Sequence, residues 1–147
     1  MIPEELKNSY MVVKLPAKEW DKMCEDAHVI CFNEIRPKHI NRIDFALLII
    51  DNKTNKPVSY ITVKEFDSTT CYWQHGGSFP GSVGIPAWRS YNLAIAWSRQ
   101  HYKRIFTLIE NRNVAMLKMA MKAGFRIIGT KTIDGDIMVE HIFNLEE

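Results

Sequence analysis

The sequence predicts a single α/β domain, residues 1–147, with its elements in the order β-α-β-β-β-α-β-α-β-β. Three observations carry this. A chain of 147 residues suits one core, whereas two would each be small and marginal. With 46% hydrophobic and 24% charged residues, the composition is that of an ordinary globular protein and not of a disordered one. The apolar residues switch repeatedly between strand-like runs and helical spacing, with Gly and Pro gathered at the joints and no repeat or linker between them.

Residues 10–15 read as a short strand, and Pro16 introduces a helix over 17–31, where Trp20, Met23, Cys24, Ala27, Ile30 and Cys31 recur at helical spacing. Residues 44–51 and 58–66 are apolar and β-branched runs joined by the turn-forming stretch 52–57, an antiparallel hairpin. A strand over 69–74 stops at Gly76-Gly77, and a Gly- and Pro-rich loop over 76–86 leads into a helix over 87–101 with Pro86 suited to its first turn. Residues 104–109 form a short buried strand, 113–122 a helix that Gly124 terminates, and 125–133 pairs through Asp134-Gly135 with 137–143.

Composition also excludes classes of function. A net charge of +2 gives no large field for wrapping nucleic acid. Trp88, Tyr91, Trp97 and Tyr102 lie among Arg89, Arg99, Lys103 and Arg104, but helical spacing assigns Tyr91, Ala94, Ile95 and one of the Trp residues to the core. Nucleic acid is therefore not the expected partner. No apolar run approaches the roughly 20 residues of a membrane span, and the first residues lack a leader pattern, so a soluble cytoplasmic protein is expected. Three cysteines fit reduced thiols better than a disulfide framework. Cys24, His28 and Cys31 share one helix face, but no fourth ligand is suitably spaced; they read as core and no metal is expected.

The most informative stretch runs from Asn113 through a helix to Gly124-Phe125 and Gly129, behind a short apolar strand. Together with the element order, which covers almost the whole chain, it resembles the GCN5-related N-acetyltransferase (GNAT) superfamily. The run Trp73-Gln74-His75-Gly76-Gly77 and the segment through Asn113 further resemble small GNAT-like proteins of tailed bacteriophages, whose setting would be the host cytoplasm. The resemblance implies a mixed, mostly antiparallel twisted sheet flanked by helices, with acetyl-CoA as acyl donor and transfer to a primary amine on a small molecule or protein. A homodimer is compatible with it.

It also implies roles for individual residues. Backbone groups around Trp73 and Gln74 would hold the pantetheine and polarise the thioester, and Asn113 would contact the cofactor. Gly81, Ser82, Val83 and Gly84 would receive the pyrophosphate on backbone N–H groups at a helix head. Only the middle Gly of the family's usual loop is kept, and Pro86 removes a donor. Arg89 sits where the helix dipole disfavours a cation, a conflict that a bound anion relieves. Ala120 stands seven residues after Asn113, where many relatives carry a Tyr that protonates the departing thiolate.

For the general base the candidates are His75, Glu65 and Asp67, with His75 and Glu65 carried forward as catalytic; His75 is the best chemical choice because imidazole accepts a proton at neutral pH. The acceptor would enter beside the first helix and residues 33–36. Loss of the usual loop and of the Tyr motivates a second reading, a GNAT-shaped binding or assembly protein without turnover.

Overall fold

The computed structural model describes residues 9–22, 43–79 and 87–146. Within them the order is β1 (Tyr10–Pro16), α1 (Ala17–Asp21), β2 (Phe45–Asp51), β3 (Lys56–Glu65), β4 (Thr70–Ser78), α2 (Ala87–Arg99), β5 (Arg104–Glu110), α3 (Val114–Ala123), β6 (Arg126–Ile133) and β7 (Asp136–Asn144). This is the order expected from the sequence. The part of the first helix beyond residue 22, with Cys24, His28 and Cys31, lies outside the described residues, as do residues 33–36 and the loop Gly81, Ser82, Val83, Gly84.

The strands form one sheet in the order β1-β2-β3-β4-β5-β7-β6. Every neighbouring pair is antiparallel except β4 with β5. β2 is buried for most of its length because the sheet is covered on both sides there, so its sequence is continuously apolar instead of alternating. On one side Tyr91, Ala94 and Ile95 of α2 and Ala120 of α3 pack on Phe45, Leu47, Ile61, Val63, Trp73 and Ile105. On the other, Trp20 of α1 packs on Ala46, Leu48 and Tyr60. Ser59 donates to Ser90 at 3.0 Å in the core, which ties the first turn of α2 to β3.

One boundary differs from the sequence expectation. β4 does not stop at Gly76-Gly77 but runs to Ser78, with Gly76 paired to Ile61 and Gly77 to Tyr60. The glycine here serves close approach and not termination: a Cβ on Gly76 would lie 2.9 Å from the Tyr60 carbonyl oxygen.

The turns follow local chemistry. Asp134 and Gly135 both have positive φ, 50° and 84°, the conformation a tight two-residue hairpin turn demands. Asn113 caps α3, its side-chain oxygen accepting from the Met116 N–H at 3.2 Å. Gly124 ends α3 at φ 114°, and its missing Cβ leaves room for the Phe143 ring, which would stand 2.9 Å from it. Gly124→Ala is therefore expected to destabilise the fold by about 1–2 kcal/mol from backbone strain alone, with the Phe143 clash added. Urea unfolding checks this: the midpoint falls while the slope is unchanged.

Candidate active site

The only parallel pair in the described sheet is also an incomplete one. β4 and β5 are in register from Thr70 opposite Arg104 to Trp73 opposite Thr107, and there the pairing ends. β4 continues through Gln74 to Ser78 held by β3 alone, and β5 through Leu108 to Glu110 held by β7 alone. Two strand edges thus face each other across a gap, with backbone N–H and C=O groups that no ladder among the described residues engages. Such edges are suited to an extended ligand that carries amides of its own.

Side chains mark the head of the gap. The Thr107 hydroxyl donates to the Trp73 carbonyl at 2.9 Å, where the ladder stops. The β3–β4 register shifts by one residue between Thr62 and Val63, so Gln74 opposes no β3 residue and forms a bulge. The Thr62 hydroxyl then donates to the His75 carbonyl at 3.2 Å. The Gln74 carboxamide oxygen is buried with no hydrogen-bond partner among the described residues. Trp73, Gln74 and His75 are thereby brought together where β4 leaves β5. His75 has its ring 6.1 Å from that of Tyr60, on the side of the sheet that carries Trp20.

Asn113 stands three residues after the end of β5, beyond the open end of the gap. Its side-chain oxygen is engaged in capping α3, which leaves the amide nitrogen to donate to a ligand. In the first turn of α2, Arg89 Nε is buried with no partner among the described residues, and the guanidinium lies 5.2 Å from the Trp88 ring centre.

Glu65 and Asp67 are not brought to the gap. Glu65 pairs with Cys71, at the end where β4 and β5 are closed, and is separated from the gap by about 10 Å of strand. Its carboxylate accepts from the Tyr102 hydroxyl, and its N–H donates to Asp44 at 2.6 Å. Burial, then the Glu65 contact, push the Tyr102 hydroxyl's pKa upward. Asp67 accepts from the N–H groups of Thr69 and Thr70 in the β3–β4 turn, and these bonds hold its carboxyl below the usual range. Both acids are engaged in hydrogen bonds at that end of the sheet. Which end of β3 meets the opening is decided by the hairpin register, which sets Glu65 opposite Cys71.

A residue missed from the sequence lies beside the gap. His141 of β7 pairs with Thr107 and is wholly buried. Its Nδ1 is 3.0 Å from the Val139 carbonyl, and Nε2 has no partner among the described residues. Burial pushes its pKa below the ordinary value near 6.5, against a smaller upward effect of the Val139 carbonyl. The unfolded chain therefore takes up this proton at higher pH than the fold does. Stability is undiminished above about pH 6.5 and falls on acidification towards the folded-state pKa. Urea unfolding at pH 7.5 and 5.5 checks this: the fold is weaker at 5.5, and His141→Gln reduces the difference.

Cys71 is buried and free, its thiol pushed up to about 12 by burial, which makes it a core residue and not a nucleophile. Tyr91 and Tyr102 are buried, so neither offers a face for a nucleic-acid base to stack on. Among the described residues no group of His, Cys, Asp and Glu is arranged to hold a metal, and no helix is long and apolar enough to cross a membrane.

The fold is that of the GNAT acetyltransferases. No family model matches the chain, and no curated protein matches it by sequence. Solved structures do. The acetyltransferase (GNAT family) from Bacillus anthracis superposes with a TM-score of 0.67 at 16% identity, covering 95% of this chain and 96% of that one. An N-acetyltransferase from Staphylococcus aureus Mu50 gives 0.69 at 12% identity over 94% and 99%. A mutant of the spermidine N-acetyltransferase SpeG from Vibrio cholerae gives 0.72 at 10% identity over 95% and 96%, and SpeG is also known as a dodecamer. At these identities the likeness establishes the architecture alone.

Proposed function

We propose that the chain is an acyl-CoA-dependent N-acyltransferase that moves an acetyl group from acetyl-CoA to a primary amine. The observation that carries this reading is the parting of β4 and β5 after Trp73 and Thr107, with the Gln74 bulge at its head. Backbone groups over residues 74–78 would pair with the amides of the pantetheine arm, as one strand edge pairs with another. An N–H at the bulge would hydrogen-bond the thioester oxygen, where negative charge develops during attack. Asn113 would orient the arm through its amide nitrogen. The pyrophosphate is assigned to Gly81, Ser82, Val83 and Gly84 at the head of α2, with Arg89 nearby in the first helical turn.

His75 would take the proton of the attacking ammonium, directly or through a water, since imidazole is a side chain suited to general-base chemistry. The acceptor is a small molecule or a protein amine, and a homodimer is compatible with the fold. Ala120, which brings no proton donor, favours the second reading, a GNAT-shaped binding or assembly protein without turnover. Calorimetric titration with acetyl-CoA, followed by thiol release with a panel of amines that includes polyamines, separates the outcomes. Micromolar binding, about 8 kcal/mol, with amine-dependent thiol release supports the enzyme. Binding without release for any amine supports the second reading, and absence of binding overturns the acyltransferase and leaves the second reading.

A further inference from the structure

Three residues stand side by side across the sheet: Trp73 on β4 opposite Thr107 on β5, and Thr107 opposite His141 on β7. They occupy the face that α2 and α3 cover, and the row lies at the head of the gap, because Thr107 is the last β5 residue paired with β4. Its two ends carry nitrogens buried without a hydrogen-bond partner among the described residues, Trp73 Nε1 and His141 Nε2, in side chains 3% and 0% exposed.

Buried polar groups are nearly always paired, and each orphan is costly. The two orphans are also complementary. An indole N–H can only donate. A carbonyl can only accept, so the contact with Val139 places the imidazole proton on Nδ1 and leaves Nε2 as an acceptor. Phe125 packs its ring on Trp73 at 5.8 Å and on Phe143 at 5.1 Å, so one aromatic wall runs from β4 across to β7. Ala120 of α3, in the same core cluster, contributes a methyl group and no polar atom. A donor and an acceptor thus stand on either side of Thr107 at the head of the gap, in the core that Phe125 and Ala120 help to close.

We propose that this row seats the sulfur of the acyl carrier, Trp73 Nε1 donating to the sulfur and the thiol of free CoA donating its S–H to His141 Nε2. The inference rests on the acyl-CoA reading above. A thiol both donates and accepts weakly, whereas an acetylated sulfur can only accept. The row therefore tells product from donor: CoA engages both nitrogens and acetyl-CoA engages Trp73 alone.

Nuclear magnetic resonance of the full ¹⁵N-labelled chain tests this without a known acceptor, with CoA, acetyl-CoA and desulfo-CoA as probes. Trp73→Phe and His141→Gln assign the two resonances. CoA is expected to shift both the Trp73 indole N–H and His141 Nε2, acetyl-CoA the indole alone, and desulfo-CoA neither. Calorimetry adds an affinity readout: wild-type chain prefers CoA over desulfo-CoA roughly fivefold, and His141→Gln reduces that preference towards unity while desulfo-CoA binds as before. Should all three bind and move the two resonances alike, the nitrogens bridge an internal water or nothing, and the sulfur seat is overturned while the acyl-CoA reading stands. Should none bind, the acyl-CoA reading falls and this inference with it.

Discussion

Trp73→Ala is expected to destabilise the protein by about 3–5 kcal/mol, the range for truncating a large buried aromatic, and to lower the melting temperature by roughly 6–20 °C. Trp73 is 3% exposed and meets the rings of Tyr91 at 5.1 Å and Phe125 at 5.8 Å, so its loss opens a cavity between α2, the head of β6 and the sheet. It is also the residue at which β4 parts from β5. The cavity and the cleft therefore share a wall, and the variant should bind acetyl-CoA poorly even well below its melting temperature. Trp73→Phe keeps an aromatic ring at the site and should retain most of the stability. Differential scanning calorimetry of both variants, with and without acetyl-CoA, measures the two effects together. A Trp73→Ala chain that melts within a degree or two of wild type would remove the packing argument.

Gly76→Ala is expected to weaken acetyl-CoA binding tenfold or more. The added Cβ would lie 2.9 Å from the Tyr60 carbonyl oxygen, a backbone atom that cannot swing aside, so β4 must move off β3 above the bulge. Overpacking of this kind costs about 1–3 kcal/mol in stability. The larger functional loss follows because the displaced segment is the edge assigned to the pantetheine. The lower pairings, from Val63 opposite Trp73 to Glu65 opposite Cys71, lie beyond the displaced stretch and should survive. Calorimetric titration of the folded variant checks this, and unchanged affinity would mean that the upper half of β4 does not hold the carrier.

Much of the architecture was legible because its signals are local. Continuous apolar runs flanked by turn residues gave β2 and β5, and Asp134-Gly135 gave the β6–β7 turn. Asn113 and Gly124 bracket α3 by the chemistry of helix ends. What failed is non-local. Gly76-Gly77 looks like a strand end, but whether glycine breaks a strand or admits a close neighbour depends on a partner sixteen residues upstream, the Tyr60 carbonyl. The neighbours of Glu65, Tyr102 and Cys71, are likewise set by register and not by its place in the sequence.

His141 carried no linear signal, because its place beside Thr107 and Trp73 is set by two strand registers that join segments far apart in the chain. The bulge at Gln74 is of the same kind: it exists only relative to Thr62 and Val63. The site is thus a product of register, whereas the elements that frame it are products of pattern.

A crystal structure of the chain grown with CoA tests the central claim most directly. The account predicts continuous ligand density between β4 and β5, beginning at Trp73 and Thr107, passing along residues 74–78 and ending with the diphosphate at the head of α2. Density for CoA on another surface, with Gln74 to Ser78 paired to β5 throughout, would contradict it.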